Sequence, residues 1–235
     1  VPAYRQQLCP RYKAGRKTTL NTSERQEFKA QQTWLNETLP LLGVMCMWCK
    51  GWEADDVIAW QVTRFKRIGP VVVLSSDRDM WQLVGHGVSV LPPGGEEVTE
   101  VTFKRLTGFA SPQHWFWFRV LSGDRSDGVP GVGQVGEKRA RELVERGWPD
   151  VRDSVPPEWW AARSEAVDRN TEVMGLAVAA DELEKESRGG DATERGGAPS
   201  QRDLRAARAA LNAKGMHTLT ARWTDWAEPF RRLVA

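Results

Sequence analysis

Seven carboxylates in three short runs constrain this 235-residue chain more than any other feature. Glu53, Asp55 and Asp56 sit just ahead of Val57, Ile58, Val62, Phe65 and Ile68, apolar residues at helical spacing. Asp77 and Asp79 follow the apolar run Val71-Val72-Val73-Leu74. Asp124 and Asp127 stand in Gly123-Asp124-Arg125-Ser126-Asp127-Gly128. Taken singly, each run has a structural use. Acids in a first helical turn meet the helix dipole. Ser76 with Asp79 fits a capping box for a helix through Met80 to Leu83, and Asp127-Gly128 is a turn signal. Asp77 adds what a cap does not need, because residues two apart in extended backbone point to the same side. All three runs lie at the ends of elements, and open parallel sheets build their sites beyond the carboxyl ends of strands.

Around these runs the chain alternates. Residues 44–49 read as a short strand, 54–67 as a helix, 71–76 as a strand buried on both faces, 79–85 as a helix and 88–91 as a strand. This alternation predicts an α/β layer with a mainly parallel central sheet. Residues 23–42 read as a helix with Ser23 and Gln26 as a capping box, Pro40 disturbing its end, and Phe28, Leu35, Leu39 and Leu42 as a core face. Glu97 to Thr102 reads as a strand, 103–107 as a helix, and Gln113 to Leu121 as an aromatic-rich interior helix. Residues 150–180 are predicted helical, with Trp159, Trp160, Val167, Val173 and Leu176 in the core. Glu184 to Arg202 is predicted to be a mobile loop, 203–214 a helix ending at Gly215, and Leu219, Trp223, Trp226, Phe230 and Leu233 one packing face.

Net charge is +2, so whole-chain charge argues little about nucleic acid. Arg5, Arg11, Lys13, Arg16 and Lys17 nevertheless crowd the first 17 residues, a density suited to phosphate contact. Three cysteines and no signal-like start point to a reducing, cytoplasmic location without a disulfide framework. No apolar run reaches the length of a membrane span. Cys46-Met47-Trp48-Cys49 has no second Cys or His pair to complete a zinc site. Gly131-Val132-Gly133-Gln134-Val135-Gly136 matches a dinucleotide-binding glycine pattern, but a loop rather than a strand precedes it and no βαβ unit follows. A helix–turn–helix hairpin is the better reading, with N–H groups and a helix N-terminus able to face a phosphate.

The three acidic runs, followed in order by Val129-Pro130-Gly131-Val132-Gly133-Gln134-Val135-Gly136-Glu137-Lys138-Arg139-Ala140, resemble the 5′ nuclease family. That family comprises the 5′–3′ exonuclease domain of bacterial DNA polymerase I, its free-standing phage relatives and the flap endonucleases. Tyr12-Lys13-Ala14-Gly15-Arg16 resembles its arch motif. The resemblance implies a PIN-like α/β fold with a helical arch and a helix–three-turn–helix DNA-binding subdomain. It divides the chain into a catalytic α/β domain over 1–121, with the arch in 1–22, and a DNA-binding and C-terminal helical region over 122–235 containing the loop 184–202. It implies that Glu53, Asp55, Asp56, Asp77, Asp79, Asp124 and Asp127 hold two Mg²⁺ or Mn²⁺ ions, with Lys13 and Arg16 on the scissile phosphate. DNA contacts fall on Arg5, Tyr12, Gly131, Gly133, Gln134, Gly136, Lys138 and Arg139, with K⁺ held at the hairpin.

The chemistry suits these residue types. Two like charges about 5 Å apart repel by roughly 3 kcal/mol at an effective dielectric of 20, so converging carboxylates need cations. Oxygen-only ligation suits Mg²⁺ or Mn²⁺, and two ions about 3.5–4 Å apart can activate a water and stabilise the leaving oxygen. The expected function is a structure-specific 5′–3′ exonuclease or flap endonuclease. Its expected partner is DNA with a 5′ single-stranded arm, with no membrane, no nucleotide cofactor and a monomeric state. The alternative is a non-catalytic DNA-binding module with an incomplete metal site. The family pattern places two further metal-binding aspartates and the first strand ahead of the residue matched by Val1. The chain therefore reads as a fragment, and poor cleavage by it alone is the expectation.

Overall fold

A computed structural model describes residues 2–15, 21–147, 155–189 and 202–232. By internal contacts the chain falls into two compact units, one comprising Val1–Lys17 and Gly51–Ala192, the other Thr18–Lys50 and Thr193–Ala235. The expected division at 121/122 instead falls inside a helix of the first unit.

In the first unit, helix α1 (Ala3–Leu8) leads into turns through Gly15. Only residues 3–8 of this basic start are helical; residues 10–15 are turns. Helix α3 (Ala54–Phe65) begins at Glu53, whose side chain and that of Asp56 form a capping box. Its buried face, Val57, Ala59, Trp60 and Val62, packs on helix α9 (Leu176–Gly189). Ala179 and Ala180 are buried there and let the helices approach, while Trp60 Nε1 donates to Glu184 at 2.8 Å. The expected mobile loop from Glu184 is thus helical up to Gly189, and residues 190–201 lie outside the described ones.

Strands β1 (Val71–Leu74) and β2 (Val88–Leu91) pair in parallel, Val71 opposite Val88 and Leu74 opposite Leu91. Their crossover carries a 3₁₀ helix, Arg78–Leu83, rather than the predicted α-helix. The sheet has two strands among the described residues. Residues 44–49 contribute only an isolated bridge position at Met47, and 97–102 only the bridge Val90–Val98, so neither predicted strand forms. β1 is also not buried on both faces: Val72 is 56% and Leu74 69% exposed, because nothing among the described residues of this unit covers that face.

Helix α4 (Phe103–Thr107) and helix α5 (Pro112–Ser122) follow, then a loop and helix α6 (Glu137–Glu145). The core beneath them joins Val120, Leu121, Val132, Val135, Leu143, Val144 and Val167, with Phe116, Trp117 and Trp159 against it. A second aromatic group packs edge to face, Trp81 with Trp115 and Phe103, and Phe109 with Trp115. Helices α7 (Pro157–Ala161) and α8 (Ser164–Met174) lie where helix was predicted, and Val167, Val173 and Leu176 are buried as expected.

In the second unit, helix α2 (Thr22–Thr38) is capped by Asn21 and Glu24, not by Ser23 and Gln26. It gives way at Pro40 to a 3₁₀ turn, Leu39–Leu42. Phe28 and Leu35 are exposed, so the face expected to be core is buried only at its Leu42 end. Helices α10 (Leu204–Ala213), α11 (His217–Ala221) and α12 (Trp223–Arg232) complete this unit. Trp226 lies between Trp223 and Phe230 with tilted rings 5.4 and 5.1 Å apart, whereas Leu219 sits on the separate helix α11 and Leu233 lies outside the described residues.

Candidate active site

One cavity of about 420 Å³ in the first unit gathers side chains from all three acidic runs. Asp55 reaches it from the first turn of α3. Asp77 and Asp79 reach it from beyond the carboxyl end of β1. Asp124 and Asp127 reach it from the loop after α5. Lys13, Arg78, Arg119, Ser76 and Ser126 also line it.

Local bonding fixes each carboxylate. Asp77, not Ser76, caps the 3₁₀ helix: its Oδ1 accepts the Asp79 N–H at 2.8 Å, while its own N–H donates to Ser75 Oγ. Both aspartates therefore face the cavity through a capped turn rather than through extended backbone. Asp124 closes the loop Gly123–Gly128 on itself. Its Oδ1 accepts from the Ser126 N–H at 2.8 Å and from Ser126 Oγ at 2.6 Å, and its backbone pairs with Val129 in both directions. This loop lies against the chain start, with the Lys13 N–H donating to Asp127 O at 2.7 Å. Gly128 has φ +72°, and a Cβ there would stand 2.3 Å from Arg11 O, so only glycine fits.

Two of the predicted carboxylates are occupied differently. Asp56, fully buried, accepts from both Arg5 Nη atoms at 2.6 and 3.1 Å. Glu53 accepts from Arg5 at 2.8 Å, Tyr12 Oη at 2.8 Å and Lys13 Nζ at 2.6 Å. Neither belongs to the residues that line the cavity. Arg5 is 2% exposed and Tyr12 is buried; both line the cavity, while Arg5 bonds Glu53 and Asp56 and Tyr12 bonds Glu53. Arg16 lies outside the described residues.

The cavity acids carry the electrostatic mark of crowding. Burial, reinforced by Asp77, raises Asp55. Burial pushes Asp79 up to about 6, and Asp77, Asp124 and Asp127 add to this against the pull of Arg119. Burial also works to raise Asp124, but the Ser126 hydrogen bond and the Arg119 guanidinium outweigh it and hold that acid below the usual range. In Glu53, bonds from Lys13 and Tyr12 likewise outweigh burial and lower it.

Sequence reasoning missed Arg119. Its guanidinium bonds Asp124 and stands 3.5 Å from Asp79. The available signal was its place in the last turn of α5, five residues before Asp124 and so directed at that loop.

The hairpin residues separate from this cluster. Gly133, Gln134, Gly136, Lys138 and Arg139 are exposed, and Gly131 is partly buried. Val132 and Val135 anchor the loop in the core. A Cβ at Gly131 would lie 2.5 Å from Ser122 O, whereas one at Gly133 would meet nothing within 4 Å. A side chain would therefore clash at Gly131 and not at Gly133.

The donor chemistry suits a hard divalent cation, since five carboxylates and two serines line the cavity. Among the described residues, however, no three His, Cys, Asp or Glu groups converge closely enough to hold an ion. Lys13 and Arg119 stand among the carboxylates instead.

Acids from three elements thus meet around one cavity, in part at the carboxyl end of a parallel strand. Residues 1–108 match the domain family described as the 5′-3′ exonuclease, N-terminal resolvase-like domain. The chain is 38% identical over 145 residues to the thermostable DNA polymerase I of Thermus filiformis, a match covering 61% of this chain and 17% of that one. It is 37% identical over 146 residues to DNA polymerase I of Mycobacterium tuberculosis, covering 60% and 16%. A bacteriophage T5 flap endonuclease, solved as a pseudo-enzyme-product complex with DNA and metal ions, shares the fold with a TM-score of 0.61 at 19% identity, covering 97% of this chain and 80% of that one. A T5 5′-exonuclease with bound zinc does so at 0.53 and 17% identity, covering 97% and 81%. These matches make the chain similar to the 5′ nuclease family, a likeness carried in sequence by residues 1–108 and by the polymerase matches. The chain spans about 17% of the length of the polymerases it matches.

No helix among the described residues is long and apolar enough to cross a membrane.

Proposed function

We propose that this chain carries the site of a structure-specific 5′ nuclease that hydrolyses phosphodiester bonds in DNA bearing a 5′ single-stranded arm. The observation that carries this reading is the convergence of Asp55, Asp77, Asp79, Asp124 and Asp127 with Lys13 and Arg119 on one cavity. These five acids would hold the divalent ions, Mg²⁺ or Mn²⁺. Glu53 and Asp56 would serve by fixing Arg5, Tyr12 and Lys13. When bound, the ions supply an activated water and charge stabilisation for the displacement.

The chain's own residues orient the substrate. Lys13, held by Glu53 at 2.6 Å, presents a fixed ammonium to a phosphate entering the cavity. Arg119, which now neutralises Asp79 and Asp124, is the second cation within reach of that phosphate. Arg16 would join Lys13 in contacting the scissile phosphate. The exposed loop Gly133 to Gly136 and the N-terminus of α6, with Lys138 and Arg139, would grip the duplex backbone as a helix–three-turn–helix element.

The test is cleavage of a labelled 5′-flap duplex in Mg²⁺. Asp79→Asn should abolish cleavage while leaving duplex binding intact. Equal cleavage by both proteins would overturn the site. A second reading, a DNA-binding module without catalysis, is favoured because, among the described residues, no three of the acids that share the cavity stand close enough to hold one ion. Duplex binding with no cleavage in Mg²⁺ or Mn²⁺ would select it.

A further inference from the structure

The hairpin loop is braced by a residue that neither its motif nor its acidic neighbours involve. Its main-chain oxygens already accept hydrogen bonds at five positions. Val129 O accepts from the Asp124 N–H at 2.9 Å, Val132 O from the Val135 N–H at 2.9 Å, and Gly136 O from the Ala140 N–H at 2.9 Å. Pro130 O accepts from Asn170 Nδ2 at 2.8 Å, and Gly133 O from Arg163 Nε at 2.8 Å. Arg163 also donates from Nη2 to Gln134 Oε1 at 2.8 Å and from Nη1 to Trp159 O at 3.2 Å. Its guanidinium lies 4.7 Å from the centre of the Trp159 ring. It therefore holds two adjacent loop residues with a planar fork, braced on an aromatic face. Gln134 needs such a hold, since it adopts φ +62°, a left-handed conformation that a side-chain-bearing residue rarely takes unsupported.

A cation fixed at a main-chain oxygen offsets carbonyl dipoles that would otherwise repel one another and loosen the loop. A bound monovalent metal ion can do this, and so can a guanidinium tethered to the chain. We propose that Arg163 is the built-in cation of this hairpin: it holds Gly133 and Gln134 in the shape that meets the DNA backbone, so that the grip needs no K⁺. The inference rests on the reading of this loop as a DNA-backbone grip. It differs from the expectation of K⁺ at the hairpin by putting a side chain in that role. Arg163 is thus a positioning residue, acting on DNA through the loop.

The experiment is duplex binding by fluorescence anisotropy in KCl and in tetramethylammonium chloride at equal ionic strength, since salt concentration alone changes affinity. Wild type should bind equally in both, within about twofold, while Arg163→Met should weaken binding by about tenfold in tetramethylammonium, on the order of one charge-assisted hydrogen bond. Part of that loss should return in KCl, as K⁺ takes the vacated place, a recovery that a general loss of packing would not show. Arg163→Lys, which keeps the charge but not the fork, should fall between and serves if the Met variant does not fold. A wild type that loses more than about fivefold on removal of K⁺ overturns the proposal, as does an Arg163→Met protein that binds normally in both salts. Lys138→Ala with Arg139→Ala separates the two levels. If that double variant binds normally, the DNA-grip reading fails. If it binds weakly while Arg163→Met does not, only the clamp fails.

Discussion

The acids around the site fall into two halves that solve the same electrostatic problem in opposite ways. Glu53 and Asp56 are neutralised by the chain itself: Arg5 holds both, and Tyr12 and Lys13 complete the bonding of Glu53. Asp55, Asp77 and Asp79 crowd one another, and burial raises Asp55 and Asp79 rather than lowering them. Removing a buried charge from water costs several kcal/mol unless a partner compensates. The first half has its compensation within the fold and is therefore structural. The second half is under-compensated, and a fold retains such an arrangement where a ligand supplies the missing charge.

The largest break in this comparison comes from the closed half. Arg5→Leu leaves fully buried Asp56 without its cation, and breaking such a pair costs about 3–5 kcal/mol. Urea unfolding should show a loss of that size, read as the midpoint shift multiplied by the slope m. A loss below about 1 kcal/mol, the range of an exposed pair, would place this network among ordinary surface ion pairs. Next in size is the response of the open half to cations. If the cavity acids bind Mn²⁺, linkage stabilises the fold by about 2.7 kcal/mol at one hundred times the dissociation constant. Thermal melts in EDTA and in millimolar Mn²⁺ report this directly. Identical melting temperatures would remove the metal from the proposed function.

This division explains what was legible in the sequence. Asp55, Asp77, Asp79, Asp124 and Asp127 were legible as cavity residues because acids at the ends of an apolar run and of amphipathic segments mark where elements stop. Arg5 was not. One arginine in a basic run reads as a surface charge, and its partners Glu53 and Asp56 lie 48 and 51 residues away. The helix Leu176–Gly189 was cut short because Glu and Arg residues suggested a loop. Their spacing carried the opposite signal: Glu182 pairs with Lys185 and Glu184 with Arg188, three and four residues apart. The run Val71–Leu74 was rightly read as a strand, but its hydrophobicity could not say how many neighbours cover it. The hairpin was legible as a loop and helix start, whereas its brace, Arg163, sits 30 residues beyond Gly133 and shows no pattern of its own.

Lys13 touches both halves and so sharpens the comparison. Its Nζ lies 2.6 Å from Glu53 and 3.8 Å from Asp127, with the side chain largely buried. Lys13→Met removes one of three bonds to Glu53 while Arg5 and Tyr12 remain. The expected cost is therefore about 1–2 kcal/mol, the worth of one charge-assisted hydrogen bond. DNA cleavage should fall by far more than this stability loss implies, because the same ammonium is proposed to meet the phosphate. Measuring unfolding and cleavage on one preparation separates the two. Parallel modest losses in both would confine Lys13 to the closed half.

The smallest expected effect carries the clearest sign. Asp79 has a folded pKa of about 6, against about 3.9 for an unperturbed aspartate. Below pH 4 both states hold the proton and the carboxyl group costs nothing. Between pH 4 and 6 the unfolded chain releases its proton first, so this group lowers stability as pH rises. Above pH 6 both states are ionised and the full cost is in place. A shift of about two units is nominally near 3 kcal/mol, but partial solvent exposure and the nearby Arg119 reduce what a substitution recovers to about 1 kcal/mol. Asp79→Asn should therefore stabilise the protein in EDTA at pH 7, by an amount that shrinks steadily towards pH 4. Arg119 keeps its bond to Asp124 in that variant, so no cation is stranded. The same substitution should abolish the stabilisation by Mn²⁺. A variant that is less stable than wild type at pH 7 in EDTA would mean that Asp79 is already compensated by Arg119, and the two halves of the site would then differ in geometry alone.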